Sequence, residues 1–134
     1  MKKFTFMYKV PWVDTDALGI VHFSNYFRLC ERTEQELFNS LNLEGEEIFL
    51  PRVHAKCDYR YPLKFNQNAK VMMHILEIGR RHITLDYEIW NDDENKLSAH
   101  CTIVVVPVDK DMKSADLNEN ILKKLIEYVD DQKK

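Results

Sequence analysis

One long stretch with helical spacing, placed between one strand-like segment and four others, is the feature that most constrains this fold. Its apolar residues recur at helical intervals, and charged side chains fill much of the rest. The spacing predicts a helix that the side chain of Ser24 or Asn25 caps, that ends near Asn42 and that is about 25 Å long. The apolar positions of this predicted helix are Tyr26, Phe27, Cys30, Leu37, Phe38 and Leu41.

Five segments show the alternation of apolar and polar residues that is typical of half-buried strands. The first precedes the long helix, and the other four follow it with no helical pattern between them. Short turns such as 91–95 join the later segments, which indicates antiparallel pairing. The predicted strands are 3–12, 52–61, 69–78, 82–90 and 97–106.

A last amphipathic segment, residues 117–129, predicts a C-terminal helix. The order of elements predicts an α+β fold in which a five-stranded antiparallel sheet is covered by the long helix. The strands at 69–78 and 97–106 are apolar on both faces, and the C-terminal helix is too short to hide all of that surface. We therefore expect a homo-oligomer.

Length and composition limit the class of protein. The 134 residues suit one domain spanning 1–134, and 45% hydrophobic with 31% charged residues is a globular composition. The net charge of −3, with Lys and Arg dispersed, argues against a nucleic-acid surface. No apolar run approaches the ~20 residues of a membrane span.

The cysteines and histidines indicate neither a metal site nor a disulfide framework. Cys30, Cys57 and Cys101 are far apart and form no C-x-x-C pair, which is typical of a reducing cytoplasm. The N-terminus lacks the apolar core of a signal peptide, so we expect a cytoplasmic protein. The strand histidines lack a second ligand at sensible spacing, and no Gly-rich phosphate loop or G-x-S-x-G motif occurs. We expect no metal.

The residues that could carry chemistry lie between the first strand and the long helix. Asp14 and Asp16 follow the strand, and Gly19 with a short apolar run separates them from the helix start. The free N–H groups at a helix start favour negative charge. A carboxylate there can attack an acyl carbonyl, or activate water against it, while the carbonyl oxygen becomes an oxyanion.

The sequence of this segment is similar to a known motif. Asp14-Thr15-Asp16, Gly19-Ile20-Val21, Asn25-Tyr26 and then Glu31-Arg32 resemble the 4-hydroxybenzoyl-CoA thioesterase family of hotdog-fold proteins, especially its Tol–Pal-associated acyl-CoA thioesterase branch. The resemblance continues through Tyr59, Pro62 and Gly79, and covers roughly residues 4–108. It implies a hotdog fold, in which the sheet wraps around the long helix. It also implies dimers or dimers of dimers with active sites at subunit interfaces.

The resemblance places the catalytic carboxylate on Asp16 rather than Asp14, as a nucleophile or general base. The alternative is a loop aspartate that only makes a turn hydrogen bond. The thioester oxygen would face the amides of Phe23 and Ser24 at the helix start. Glu31, on the helix, is expected to be structural.

Two positions depart from the resembled branch. Phe23 stands where that branch has a histidine, and His22 lies one position earlier. Trp12 stands where a tyrosine is expected. We expect Trp12, His22 and Phe23 to shape the acyl pocket. His22 could be a pocket wall, a pH-sensitive helper or a solvated loop residue.

Basic residues occupy a predicted turn after Gly79, in the order Arg80-Arg81-His82. The resembled family places basic residues there against the phosphates of coenzyme A, and guanidinium groups match phosphate oxygens. The resemblance therefore implies that these three residues bind the nucleotide end of the substrate. The alternative is an ordinary solvated hairpin.

The sequence thus predicts an acyl-CoA thioesterase that releases a carboxylic acid and coenzyme A. Coenzyme A is part of the substrate, and no separate cofactor is expected. One alternative keeps the fold but uses acyl carrier protein thioesters or aromatic acyl-CoA. Another is a non-catalytic hotdog module that binds acyl-CoA.

Overall fold

The computed structural model of this protein describes residues 2–43, 45–46 and 49–130. The chain begins with a strand, a 3-10 turn and the long helix: β1 (Phe4–Lys9), Trp12–Asp14 and α1 (Asn25–Ser40). Four strands follow: β2 (Arg52–Tyr59), β3 (Asn68–Ile78), β4 (Ile83–Asn91) and β5 (Lys96–Val105). The C-terminal part contains α2 (Glu119–Leu125) and a 3-10 turn (Ile126–Tyr128).

The five strands form one antiparallel sheet in the order β1-β3-β4-β5-β2. The hairpins β3–β4 and β4–β5 form its centre, and β1 and β2 are its edges. The predicted α+β arrangement of a five-stranded antiparallel sheet, a long helix and a C-terminal helix is confirmed.

The core lies between α1 and the inner face of the sheet. Leu29, Cys30 and Leu37 of α1 are almost completely buried, as the helical spacing predicts for the latter two. On β4 the predicted inward set is also buried, namely Ile83, Leu85, Tyr87 and Ile89. Full burial of an aliphatic side chain of this size contributes about 1.5–3 kcal/mol. The helix is therefore fixed to the sheet, and its first turn has a defined position.

The predicted bounds of two elements, the first strand and the C-terminal helix, are wrong for local reasons. The first strand ends at Lys9 rather than residue 12, because the chain turns after Pro11 and the Asp14 N–H donates to the Pro11 carbonyl at 3.1 Å. The C-terminal helix begins at Glu119 rather than 117, because the Asn118 side chain accepts from the first backbone amides and caps it. It tightens into a 3-10 turn after Leu125 instead of running to 129.

The prediction of a half-buried second strand is wrong for most of β2. Residues 52–56 are exposed on both faces, and Val53 retains 61% of its accessible surface. The reason is position in the sheet, since β2 is an edge strand paired only with β5. An exposed edge strand carries unpaired backbone groups that can pair with another chain.

The outer face of the central strands carries a buried polar cluster. Asp86 on β4 is 5% exposed, and its Oδ1 lies 2.7 Å from Nε2 of His100 on β5. His74 on β3 is also buried, with its Nδ1 3.8 Å from the other Asp86 oxygen. Burial lowers the pKa of His74, and the charge of Asp86 opposes that shift.

No helix in the described residues is both long enough and apolar enough to cross a membrane.

The lowered pKa of His74 predicts acid sensitivity. Below pH 6.5 the unfolded chain binds a proton on this histidine more readily than the folded chain does. The free energy of unfolding therefore decreases as the pH is lowered. Lys3, Glu88 and Asp130 add smaller electrostatic effects on the same ring. We expect the free energy of unfolding, from urea titrations at pH 7.5 and 5.5, to fall less in His74→Gln than in the wild type. His54→Gln, on an exposed histidine, is the control and should match the wild type. Equal losses in all three proteins would contradict this prediction.

Candidate active site

Asp16 lies in a tight turn that its own backbone closes. Its N–H donates to the Ile20 carbonyl at 2.8 Å, and the Gly19 N–H donates to the Asp16 carbonyl at 3.0 Å. The Leu18 N–H donates to Asp16 Oδ1 at 2.8 Å and orients the carboxylate. Oδ2 accepts no hydrogen bond from the described residues, so one carboxylate oxygen is available for chemistry.

Asp14 ties this loop to the sheet and to the helix. The Tyr8 hydroxyl donates to Asp14 Oδ2 at 2.7 Å. The Asp14 carbonyl accepts from the His22 N–H and from Asn25 Nδ2, both at 2.9 Å. Burial, and then the hydrogen bond to Asp14 and its charge, raise the pKa of Tyr8, so its hydroxyl stays a donor. These contacts give Asp14 a structural role in holding the loop against β1 and the start of α1.

The amides at the start of α1 are already used, with one exception. The Asn25 N–H donates to the His22 carbonyl at 2.9 Å, and the Tyr26 N–H donates to the Phe23 carbonyl at 3.4 Å. The Ser24 N–H donates to His22 Nδ1 at 3.2 Å. Within the described part of the chain, the Phe23 N–H has no acceptor. Of the two amides expected to support an oxyanion, Phe23 is therefore the free one.

The expected side-chain cap of α1 is wrong for both candidates. Ser24 occupies the cap position but makes no capping hydrogen bond, because its hydroxyl lies 2.7 Å from His22 Nδ1. Asn25 is already inside the first turn, and its side chain donates to the Asp14 carbonyl. The carbonyl of His22 instead accepts from the first helical amide.

Asp16 and Phe23 line the same pocket, which has a volume of about 370 Å³. Most of its other walls are apolar or aromatic. They come from the loop after β1, the first turn of α1 and the end of β2. The wall residues include Ile20, Val21, Tyr26, Tyr59, Tyr61 and Pro62.

Three tyrosines of this pocket, Tyr26, Tyr59 and Tyr61, were not predicted as site residues. Tyr26 matched the apolar spacing of the helix, and Tyr59 matched a strand. Their rings pack edge to face with centroids 5.1 Å apart. Burial raises the pKa of Tyr26 to about 12 and also raises that of Tyr59, so both stay protonated at neutral pH. The proline three positions after Tyr59 was the only sequence signal that this segment leaves the strand towards the loop.

A larger cleft of about 850 Å³ runs along the exposed face of α1, but it does not include Asp16 among its lining residues. Charged side chains such as Arg28, Glu31 and Arg32 form much of its wall. Glu34 at its base is paired with Arg52 of β2, and burial raises the pKa of Glu34 against the effect of that arginine. The smaller pocket is the candidate active site, because it combines a free carboxylate oxygen with a free amide.

The structure separates several predicted residues from this pocket in the single chain. Trp12 is 78% exposed and packs against the Phe65 ring at 6.3 Å. His22 contacts Ser24 and the Phe23 ring rather than the pocket space. Among the described residues, neither Trp12, His22 nor Ser24 is part of the pocket lining.

The basic turn lies at the far end of the sheet. Arg80 and Arg81 both donate through Nε to Asp116 Oδ1, at 3.1 and 3.2 Å. His82 closes the turn, because its carbonyl accepts from the Gly79 N–H at 2.8 Å. The 11-residue β3 separates this turn from the Asp16 loop by roughly 30 Å. One chain therefore does not bring the arginines to the pocket.

A pair of glycine variants tests the turn that holds Asp16. Gly19 has φ +80°, and a Cβ added at either Gly19 or Gly45 would meet no atom within 4 Å. Gly19→Ala should cost about 1 kcal/mol of unfolding free energy in urea titrations, because an L side chain disfavours this backbone region. Gly45→Ala has the same free space without the positive φ, and should cost less than half as much. Equal losses of unfolding free energy in the two variants would contradict the positive φ of Gly19.

Comparisons with known proteins show the family of this chain. Residues 10–125 match the family described as the Thioesterase-like superfamily. A putative esterase of Aquifex aeolicus is 31% identical over 110 residues, which is 75% of this chain and 84% of the relative. The acyl-CoA thioesterase YbgC of Helicobacter pylori is 33% identical over 85 residues, which is 61% of this chain and 63% of the relative.

The fold is also shared with solved structures. The crystal structure of a 1,4-dihydroxy-2-naphthoyl-CoA thioesterase from Synechocystis has a TM-score of 0.86, with 93% of this chain and 96% of that chain covered. Its sequence identity of 23% shows the fold alone. The predicted hotdog thioesterase is confirmed, and the matched family is broader than the branch that the motif resembles. The chain belongs to the Thioesterase-like superfamily.

Proposed function

We propose that this protein hydrolyses acyl-CoA thioesters to a carboxylic acid and free coenzyme A in the Asp16 pocket. One observation carries the proposal: a carboxylate oxygen and a backbone N–H, both without partners among the described residues, belong to residues that line one pocket. The thioesterase family and the relative named acyl-CoA thioesterase support the substrate class.

The proposed chemistry follows from these two groups. The thioester oxygen accepts a hydrogen bond from the Phe23 N–H, and the start of α1 adds the positive end of its dipole. Asp16 Oδ2 then either attacks the carbonyl carbon or takes a proton from an attacking water. In the first route coenzyme A leaves as the thiolate and water cleaves the resulting mixed anhydride. In the second route Asp16 takes the proton of a water that adds to the carbonyl carbon, and the tetrahedral intermediate collapses with cleavage of the C–S bond, so that coenzyme A leaves as the thiolate.

The pocket walls suit an apolar acyl group. Phe23, Tyr26 and Tyr59 supply aromatic surface around Asp16, and such rings pack well against both aliphatic chains and aromatic rings. An aromatic acyl-CoA is the second candidate substrate because of this lining. Acyl carrier protein thioesters are the other alternative substrate.

We further propose that the active unit is a homo-oligomer, either a dimer or a dimer of dimers. The exposed β2 edge offers backbone groups to a second copy. Within one chain the basic turn lies roughly 30 Å from Asp16. We therefore propose that Arg80, Arg81 and His82 of another subunit bind the nucleotide end of the substrate. Trp12 and His22 would then wall the pocket at that interface.

We also propose that the protein is cytoplasmic. Cys30, Cys57 and Cys101 are all free thiols. Contact with neighbouring thiols, together with burial, raises the pKa of both Cys57 and Cys101. Free thiols of this kind persist in a reducing compartment.

Substitution of the acid tests the catalytic assignment. Asp16→Asn keeps the volume of the side chain but removes the charge and the nucleophilic or basic oxygen. We expect kcat to fall at least about 100-fold for the best substrate of a panel of aliphatic and aromatic acyl-CoAs and acyl carrier protein thioesters. Thiol release is the measurement.

Asp14→Asn is the matched control for this experiment. It removes a carboxylate from the same loop, and its side-chain oxygen can still accept from Tyr8. We expect kcat to stay within about tenfold of the wild type, since one neutral hydrogen bond contributes about 1 kcal/mol. The assignment is wrong if the wild type cleaves no thioester, or if Asp16→Asn is as active as Asp14→Asn.

The oligomer is tested by light scattering after gel filtration. We expect a mass at least twice that of the 16.0 kDa chain. Val53→Lys places a charge on the exposed β2 edge and should shift the protein towards the monomer. Met112→Lys, at an exposed position outside the sheet, is the control and should leave the mass unchanged. A monomeric wild type at micromolar concentration would contradict the proposed assembly.

A further inference from the structure

The free amide of Phe23 belongs to a residue that a distant part of the chain holds in place. The Tyr59 hydroxyl donates to the Phe23 carbonyl at 2.9 Å, across 36 positions of sequence. The other hydrogen bonds of the His22 and Phe23 backbone come from residues 14–26. Among the described residues, Tyr59 is the one on a strand whose side chain donates to a backbone carbonyl of residues 22–26.

Tyr59 is itself well placed for this role. It is the last residue of β2, and its backbone is in register with Ala99 of β5. Its ring packs edge to face on Tyr26, which is 4% exposed. Burial raises the pKa of Tyr59, so the hydroxyl stays a donor through the neutral and mildly alkaline range.

Phe23 gains little support from its own side chain, because most of that side chain is exposed. It is 64% exposed, and its ring contact is with the adjacent His22, at 4.5 Å. A contact between neighbours in sequence does not fix a peptide relative to the sheet. The hydrogen bond from Tyr59 instead ties the Phe23 carbonyl to the end of β2.

We propose that Tyr59 is a positioning residue for thioester hydrolysis: its hydroxyl holds residue 23 so that the Phe23 N–H meets the developing oxyanion. This inference rests on the proposed function, because it assigns the origin of the oxyanion geometry in that same pocket. The negative charge on oxygen is fully developed only in the transition state. Loss of the anchor should therefore lower kcat and leave KM nearly unchanged.

Tyr59→Phe and Tyr61→Phe form a matched pair of variants. Both residues line the pocket, and each change removes one hydroxyl. The Tyr61 hydroxyl donates to Glu94 at 2.9 Å instead of to the helix start. We expect Tyr59→Phe to lower kcat roughly three- to tenfold with KM within twofold, as loss of one hydrogen bond predicts. Tyr61→Phe is the control for amide exchange. Tyr128→Phe, in the C-terminal 3-10 turn and outside the pocket lining of the described residues, is the activity control and should leave kcat and KM within twofold. Thermal unfolding should confirm that all three variants fold.

An amide-exchange measurement by NMR tests the anchor without any activity. In Tyr59→Phe the Tyr26 amide, which donates to the Phe23 carbonyl, should exchange several-fold faster than in the wild type, and in Tyr61→Phe it should not. Unchanged exchange, an unchanged kcat, a rise in KM alone or an equal loss of kcat in Tyr128→Phe would each overturn the proposal. An inactive wild type with faster exchange in Tyr59→Phe would overturn the catalytic role of the anchor and the proposed function together. An active wild type with unchanged exchange would overturn the anchor alone.

Discussion

The packing of α1 against the inner face of the sheet is the constraint on which the rest of the structure depends. Leu29, Cys30 and Leu37 are buried there, so the helix cannot shift along the sheet without exposing them. The position of its first turn follows from this packing. That turn lies beside the loop that leaves β1, and the candidate active site is the place where the two meet.

Most of the hydrogen-bonding groups at the start of α1 have partners within the loop and the helix. The loop and α1 use the amides of His22, Ser24, Asn25 and Tyr26 internally, and the loop also uses one oxygen of Asp16. Among the described residues, what remains is one carboxylate oxygen and one N–H on two residues of the same pocket. A site that satisfies most of its polar groups and leaves two free on residues of one pocket is well suited to bind a polar reacting group.

The fold was predictable because its signals are local and periodic. The spacing of Cys30 and Leu37 on α1 and the alternation of Ile83 to Ile89 on β4 identified buried faces that the structure contains. Position within the sheet is not a local property, and for that reason β2 was predicted to be half buried although it is an exposed edge. The motif around Asp16 identified the loop of the site but not its opposite wall.

The opposite wall depends on contacts that sequence spacing does not encode. Tyr59 reaches Phe23 only because β2 pairs at the far side of β5 and ends near the start of α1. The distance between Arg80 and Asp16 follows from the length of β3 and from the antiparallel pairing of β1 with it. Within one chain the two sites therefore lie roughly 30 Å apart.

The most direct test is a crystal structure of the Asp16→Asn protein with an intact acyl-CoA bound. The account predicts that the thioester oxygen lies within about 3.2 Å of the Phe23 nitrogen, with the carbonyl carbon next to the side chain of residue 16. It also predicts that the nucleotide end contacts the basic turn of another subunit. An acyl group bound in the cleft along α1, or a carbonyl pointing away from the helix start, would contradict the account.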